Sequence, residues 1–153
     1  MPTVPRLEFL YTLVAELAPA IPIGDIPRGQ RLVVHVTSGT FEGPQLRGKI
    51  LPGGGDWLLI RADGVAELDV RATLATEDGA FIYTHYCGYI TEVPTILPRW
   101  AAGEEVPRDT YYFATTPYFE TGSERYAWLQ RVVTIGIGTL VPGGVRYEVF
   151  AVR

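Results

Sequence analysis

The sequence predicts an all-β fold: an antiparallel, closed or nearly closed β-barrel of lipocalin-like proportions with one or two short helices. Three observations predict it. About eight to ten short segments are rich in β-branched and aromatic residues, glycine, proline and aspartate turns separate them, and no regular alternation of strands with helices occurs. A length of 153 residues suits one core, so we expect residues 1–153 to form a single barrel domain.

The first four predicted strands are each bounded by turn residues. They are Leu7–Leu17, Arg31–Thr37, Gln45–Leu51 and Asp56–Arg61. The first ends at the proline-containing stretch 18–22, and the third begins after the Glu42-Gly43-Pro44 turn. The turn Pro52-Gly53-Gly54-Gly55 separates the last two.

The remaining predicted strands follow the same rule. They are Val65–Thr76, Ala80–Tyr89, Tyr111–Thr121, Val132–Val141 and Val145–Val152. Asp-Gly pairs at 63–64 and 78–79 predict hairpins before the first two. Pro117 cannot donate to a ladder, which predicts an edge or a bulge at that position.

Two places look helical. Thr95–Ala102 is followed by Gly103, a plausible C-terminal cap, and Ser123–Gln130 has Ser123 as a possible N-terminal cap. The segment Thr91–Asp109 around the first helix is long for a hairpin connection and contains Trp100. Such a segment is either a lid over a binding site or a plug that closes one barrel end.

Charge and cysteine content exclude several classes of function. The net charge is −4 and Lys49 is the one lysine, so the basic stripe of a nucleic-acid-binding protein is absent. A single cysteine, Cys87, excludes an intrachain disulfide and a cysteine cage for a metal, and we expect neither metal nor cofactor. No signal peptide or membrane-spanning apolar run is present, which favours a cytoplasmic protein without membrane association.

The predicted strand Val65–Thr76 has one polar and one apolar face. Side chains alternate across a strand, so Glu67, Asp69, Arg71 and Thr73 share one side. If the apolar side faces the core, Asp69 and Arg71 form a solvated surface pair of small energetic weight. If the strand surrounds a ligand, the polar side lines the barrel lumen instead. The alternation by itself favours the solvated arrangement.

Two other strands carry candidate functional positions. In Ala80–Tyr89, the residues Tyr83, His85 and Cys87 share a side, and a histidine there is a natural general acid or base. A histidine that is merely exposed or hydrogen-bonded within a hairpin is the commoner case. Gly136 and Gly138 share one side of Val132–Val141, which makes room either for a ligand or for an aromatic ring.

The order of these motifs resembles a known family. The runs that carry the resemblance extend over most of the chain: Gly39-Thr40-Phe41-Glu42-Gly43-Pro44, Leu46-Arg47-Gly48, Leu51-Pro52-Gly53-Gly54-Gly55-Asp56-Trp57, Asp63-Gly64, Glu67-Leu68-Asp69-Val70-Arg71, Asp78-Gly79-Ala80-Phe81-Ile82-Tyr83, Tyr112-Phe113, Thr115-Thr116-Pro117, Phe119-Glu120-Thr121 and Tyr126-Ala127-Trp128-Leu129. This order is similar to that of the domain of unknown function 3237 family, also called uncharacterised protein family 0311.

The resemblance has implications for fold and site. It implies a β-barrel and places five motif residues in a common core or pocket. It also favours a lumen position for the polar face of Val65–Thr76 more strongly than the alternation of side chains does. Those five residues are Asp56, Trp57, Asp69, Arg71 and Tyr83. The chain departs from the family pattern, with Ala114 and Tyr118 in place of basic residues, Gln130 in place of an asparagine, and His35 and His85 as additions. Fewer positive charges imply a more apolar pocket and an aromatic or polycyclic ligand.

Two functional hypotheses follow. The first is a cofactor-independent isomerase, cyclase or lyase acting on a small apolar carbonyl metabolite in the barrel lumen. The predicted catalytic residues are Asp69 or His85 as the base, Tyr83 or Tyr112 as a donor to a developing oxyanion, and Arg71 as the charge that orients Asp69. The predicted walls and substrate contacts are Trp57, Tyr112, Trp128, Glu67 and Trp100.

The alternative hypothesis is a non-catalytic binding or carrier protein for a hydrophobic small molecule. A purely structural subunit is a weaker third possibility. An apolar outer face would also need cover, so a homo-oligomer is plausible.

Overall fold

The computed structural model describes all 153 residues as ten β-strands, one α-helix and two 3₁₀ segments. The strands are β1 (Leu7–Leu17), β2 (Ile21–Ile26), β3 (Gly29–Glu42), β4 (Arg47–Ile50), β5 (Gly55–Ile60), β6 (Ala66–Thr76), β7 (Phe81–Ile90), β8 (Phe113–Glu120), β9 (Thr134–Val141) and β10 (Gly144–Val152). The helix α1 spans Val93–Ala101, and the 3₁₀ segments span Arg108–Thr110 and Glu124–Arg131. None of the helices has the length and hydropathy needed to cross a membrane.

The strands form a closed antiparallel barrel, which confirms the predicted fold class. Neighbouring strands follow the order β1-β10-β9-β8-β7-β6, and β6 then pairs with β4 and β5, both of which pair with β3. The barrel closes because β3 also pairs with β1. Along one edge, β3 pairs with β1 and β2, and along its other edge it pairs with β4 and β5. Each of these two sets of strands occupies a single place in the barrel wall, so the ten strands form an eight-stranded barrel.

The strand β2 was not predicted from the sequence. The stretch 18–22 was interpreted as the end of the first strand, because proline commonly stops strand pairing. The chain bends there and then resumes pairing along the same neighbour, with Ile21 opposite Val33. The ladder shifts register between Pro22 and Gly24, so the missing proline N–H is accommodated at an irregularity.

One end of the barrel is filled by its own side chains. Tyr11 packs edge-on against Phe41 and Phe119, with ring centroids 5.8 and 6.4 Å apart. The 3₁₀ segment Glu124–Arg131 buries Tyr126 and Leu129 in the same hydrophobic core. Ser123 occupies the predicted N-cap position of that segment, but its side chain makes no cap hydrogen bond.

The other end of the barrel is hollow and lies under α1. The Trp100 indole Nε1–H donates to the carbonyl oxygens of Val141 (2.7 Å) and Gly144 (3.1 Å), which fastens the helix to the β9–β10 hairpin. The long segment predicted as a lid or a plug therefore covers this end. Beneath it a cavity of about 460 Å³ occupies the lumen.

The glycine and proline signals in β8 and β9 have clear structural explanations. A Cβ atom at Gly138 would lie 2.6 Å from the Phe113 ring, so this glycine makes room for an aromatic side chain of the protein itself. β8 pairs with β9 at Ala114 and Thr115, and the ladder stops before Pro117. The Thr134 hydroxyl then donates to the Pro117 carbonyl (2.7 Å), so the irregularity expected there is present.

The polar face of β6 points away from the lumen. Leu68 and Val70 are 4% and 3% exposed and face inward, whereas Glu67, Asp69 and Arg71 alternate with them on the outside of the barrel. The lumen arrangement that the family resemblance favoured is therefore wrong for this face. The apolar side chains occupy the interior because the barrel encloses that side on closing.

Candidate active site

The outward polar face of β6 forms part of a groove on the outside of the barrel. The groove has a volume of about 730 Å³ and crosses β5 to β9. Its wall combines charged, aromatic and aliphatic side chains from neighbouring strands. They include Arg28, Arg31, Trp57, Leu59, Glu67, Asp69, Arg71, His85, Cys87, Tyr89, Tyr112, Ala114, Thr116, Ile135 and Ile137.

Strand register brings four ionisable side chains together in this groove. Arg71 lies opposite His85 in the β6–β7 ladder, and Asp69 lies opposite Cys87. The Asp69 Oδ1 atom is 2.8 Å from His85 Nε2 and accepts a hydrogen bond from Arg71 Nη1 at 3.1 Å. The Cys87 Sγ atom lies 3.9 Å from the same histidine nitrogen.

The surroundings of Asp69 keep its carboxyl group ionised. Partial burial acts to raise its pKa, but the hydrogen bond with His85 and the charge of Arg71 outweigh burial and hold the pKa below its ordinary value. The neighbouring Cys87 thiol has the opposite shift. Partial burial raises its pKa, and the negative charge of Asp69 adds to the effect. The cluster is thus an ionised carboxylate beside an imidazole and a protonated thiol.

Aromatic rings border this ionisable cluster. The Arg71 guanidinium carbon is 5.9 Å from the centroid of the Trp57 ring, within the range of a cation–π contact. Tyr112 lines the groove and is 57% exposed. Glu67 lines the groove as well, 3.7 Å from Arg28 Nη2. The groove can therefore hold a flat apolar molecule against acidic, basic and hydroxyl groups.

Six of the nine predicted site residues line this one groove, and three do not. Asp69, Arg71, His85, Trp57, Tyr112 and Glu67 are the six. Tyr83 shares the outer face of β7 with His85 but pairs with Thr73 and Glu120, beyond the groove. Trp100 lines the lumen, and Trp128 packs against the core from the 3₁₀ segment Glu124–Arg131. The structure thus distributes the nine predicted residues among the groove, the outer face of β7, the lumen and the core.

The β5–β6 ladder opens at the groove floor. Pairing is regular at Asp56–Val70 and again at Leu59–Glu67, but the two positions between are unpaired. There the Asp69 N–H donates to the Asp56 carboxylate Oδ1 (3.0 Å) instead of to a strand carbonyl. The freed carbonyl of Trp57 accepts from Arg31 Nη1 at 2.6 Å. The side chains of Asp56 and Arg31 thus take the place of backbone hydrogen bonds in the part of the barrel wall that separates the groove from the lumen.

Sequence reasoning missed the roles of Arg31 and Asp56. Arg31 was placed only within a strand, and the alternation of the buried Val34 and Val36 would have assigned it to the outer side. Asp56 was noted only as part of a family motif. It faces the lumen, and burial there raises its pKa to about 7, despite a hydrogen bond from the Asp69 N–H.

Asp69, His85 and Cys87 are also the residues that could hold a metal ion. Their ligand atoms lie within 4.8 Å of one another. However, the Asp69 Oδ1 atom already accepts from Arg71, whose positive charge opposes a cation at this position. The arrangement fits proton transfer by a histidine paired with an ionised carboxylate better than metal ligation.

Comparison with known proteins assigns the family. The model of the family described as "Protein of unknown function (DUF3237)" matches residues 5–152. The chain belongs to this family. A relative in it is a UPF0311 protein of Rhodopseudomonas palustris strain TIE-1, which is 33% identical over 134 residues, covering 86% of this chain and 88% of that protein.

A solved structure and a second relative extend the comparison. A β-barrel-like protein of Acinetobacter baumannii has a TM-score of 0.86 and 36% identity, covering 100% of this chain and 99% of that one. A hydroalkoxylation enzyme of Penicillium herquei is 30% identical over 136 residues, covering 88% of this chain and 75% of that enzyme. This chain is thus similar to a protein that is named for a specific reaction.

Proposed function

We propose that this protein is an enzyme that catalyses a cofactor-free cyclisation or isomerisation by proton transfer in the outer groove. One observation carries the proposal. The Asp69 Oδ1 atom is shared by His85 and Arg71 inside a groove of about 730 Å³. A histidine oriented by an ionised carboxylate is a suitable group to take up and return a proton near neutral pH.

The substrate class follows from the groove walls. The Trp57 ring and the isoleucine side chains of β9 suit a flat apolar body, whereas Arg71 and the Tyr112 hydroxyl suit a carbonyl or phenolic oxygen. We therefore propose a neutral aromatic carbonyl compound. A strongly acidic substrate would meet Asp69 and Glu67 and is disfavoured.

The printed name of the Penicillium herquei relative supports a more specific reaction. Hydroalkoxylation adds an O–H group across a C=C double bond. When both groups belong to one molecule, the new C–O bond closes a ring and the hydrogen ends on the adjacent carbon. The product is an isomer of the substrate, so neither an oxidant nor a reductant is required.

The groove residues can supply both proton steps of such a cyclisation. His85, oriented by Asp69, takes the hydroxyl proton while the oxygen attacks the alkene, and returns a proton to the neighbouring carbon. Arg71 keeps Asp69 ionised and faces the oxygen that gains negative charge. His85 and Arg71, which face the substrate, are the proposed catalytic residues, and Asp69, which acts through His85, is the proposed positioning residue.

The test uses ortho-hydroxyacetophenones that bear an allyl or prenyl group beside the hydroxyl. The expected product has the same mass, a new chromatographic retention and, when formed in deuterium oxide, one added deuterium on carbon. Asp69→Asn and His85→Gln are each expected to reduce turnover by about 100-fold or more. The matched control Asp63→Asn changes another carboxylate paired with an arginine, outside the groove, and should keep wild-type turnover.

The outcomes separate the two functional hypotheses. Wild-type turnover in folded Asp69→Asn protein would contradict the proposed role of the Asp69–His85 pair. Saturable binding with every compound returned unchanged would favour the carrier alternative. Neither binding nor turnover across the panel would contradict both the substrate class and the groove as its site.

A further inference from the structure

The barrel lumen is a cavity distinct from the groove. Its walls are the inward faces of the strands, and α1 covers one side of it. The exposed residues Pro19 and Ala20 also line it, so the cavity reaches the surface at the bend between β1 and β2. Its volume of about 460 Å³ is within the range of small-molecule pockets, which begins at about 300 Å³.

Few polar side chains line the lumen. Among its lining side chains, oxygen atoms come from Asp56, Tyr86 and Tyr147 alone. The rings of Tyr86 and Tyr147 pack edge-on at 5.2 Å, and Tyr147 packs likewise against Phe113 at 5.3 Å. An apolar wall with one carboxyl group and two phenols orients a ligand through few hydrogen bonds.

We infer that the lumen is a second binding site, for a neutral apolar molecule that offers one hydrogen-bond acceptor to Asp56. The carboxyl group already accepts from the Asp69 N–H through Oδ1, which leaves its other oxygen for a ligand. A carboxyl in apolar surroundings is retained more readily as the neutral acid, and the acid donates a hydrogen bond. A ketone or ether oxygen is the complementary acceptor.

The charge state of Asp56 makes this site dependent on pH. The titratable groups around it are Arg31 on β3, Asp69 on β6, Tyr86 on β7 and Tyr147 on β10. Burial dominates over these and raises the pKa of Asp56 to about 7. Binding of a neutral acceptor should therefore weaken as the pH rises through this value, because the carboxylate cannot donate.

Benzophenone is the test ligand, because it is apolar, has one acceptor oxygen and inserts into nearby C–H bonds under near-ultraviolet light. Saturable binding is expected, with cross-links on inward-facing residues of β6 or on α1. If benzophenone binds only when Asp56 is protonated, its affinity should fall by up to about thirtyfold between about pH 6 and about pH 8.5. Asp56→Asn should abolish that pH dependence.

Matched substitutions on β3 locate the site independently. Val34→Phe places a ring in the lumen and should remove the cross-links on lumen residues, whereas Val33→Phe places the same ring on the outer side and should keep them. Circular dichroism establishes that each variant is folded. If Val34→Phe does not fold, the cross-links in the wild type and the pH dependence of binding to Asp56→Asn still show whether benzophenone binds in the lumen.

Three results would overturn the inference: no saturable binding, cross-links confined to groove residues, or the same pH dependence in Asp56→Asn as in the wild type. Failure of the groove proposal would leave this one standing. The Asp69→Asn variant that tests the groove should keep the benzophenone cross-links on lumen residues, since Asp69 lies outside the lumen.

Discussion

The Asp56 carboxyl group should make the stability of the protein depend on pH in an unusual direction. Burial raises its pKa from 3.8 to about 7 in the folded protein. Between these values the folded state holds a proton that the unfolded chain has released. Because stability falls with pH wherever the folded state binds more protons, this group's contribution is present below about pH 4 and lost as the pH rises through about 7.

The size of the effect follows from the shift. About three pKa units at ~1.36 kcal/mol per unit correspond to a total of about 4 kcal/mol. Between pH 5 and pH 8 the same two pKa values give a loss of about 2.5 kcal/mol. Asp56→Asn removes the titration, and its amide oxygen can still accept from the Asp69 N–H, so this slope should disappear.

Urea unfolding followed by tryptophan fluorescence at several pH values measures the effect. The quantity of interest is the difference in unfolding free energy between wild type and Asp56→Asn, since all other titrating groups are common to both. Asp63→Asn is the control, because the Arg61 hydrogen bond lowers the pKa of Asp63 and moves its titration below this range. A wild-type–variant difference that stays constant within about 0.5 kcal/mol from pH 5 to pH 8 would refute the reasoning.

Two further predictions concern packing and the groove. Gly138→Ala places a Cβ atom 2.6 Å from the Phe113 ring and should lower the unfolding free energy by about 1–3 kcal/mol, whereas Gly122→Ala, which meets nothing within 4 Å, should change it by less than about 0.5 kcal/mol. Equal midpoints in thermal unfolding would contradict this. Asp69→Asn removes a charge that raises the pKa of Cys87, so alkylation by iodoacetamide near pH 7 should accelerate about two- to fivefold by mass spectrometry. An unchanged rate would mean that Asp69 does not influence the thiol.

Local signals in the sequence were sufficient for most elements of the fold. The first strand was predicted with the bounds observed, Leu7–Leu17, and the Asp-Gly turns stand where hairpins occur. The helix was predicted over Thr95–Ala102 and lies two residues earlier at its start, because Pro94 fits the first helical turn. β2 was missed although it forms a hairpin with the next strand, because Pro22 and Gly24 are residues typical of turns and hide its strand pattern.

The candidate site was predicted only in part, because the sequence indicates the side of a strand on which a residue lies but not the register between strands. Alternation placed Asp69 and Arg71 on one face, and the same rule placed His85 beside Cys87. Their proximity across two strands depends on the β6–β7 register, which composition and periodicity leave open. Tyr83 satisfies the same alternation yet lies beyond the groove, since alternation gives the side of a strand and not the position along it.

The sequence by itself determined the class of fold, the turns and the sidedness of each strand, because these depend on neighbours within a few residues. The tertiary structure decided which side of the sheet became the interior. Closing the barrel enclosed the apolar side of β6 and left Asp69, Arg71 and His85 in an outer groove, while it turned Asp56 inward. That outcome depends on long-range pairing around the whole barrel, so the separation of a polar groove from an apolar lumen could be seen only once the strands were assembled.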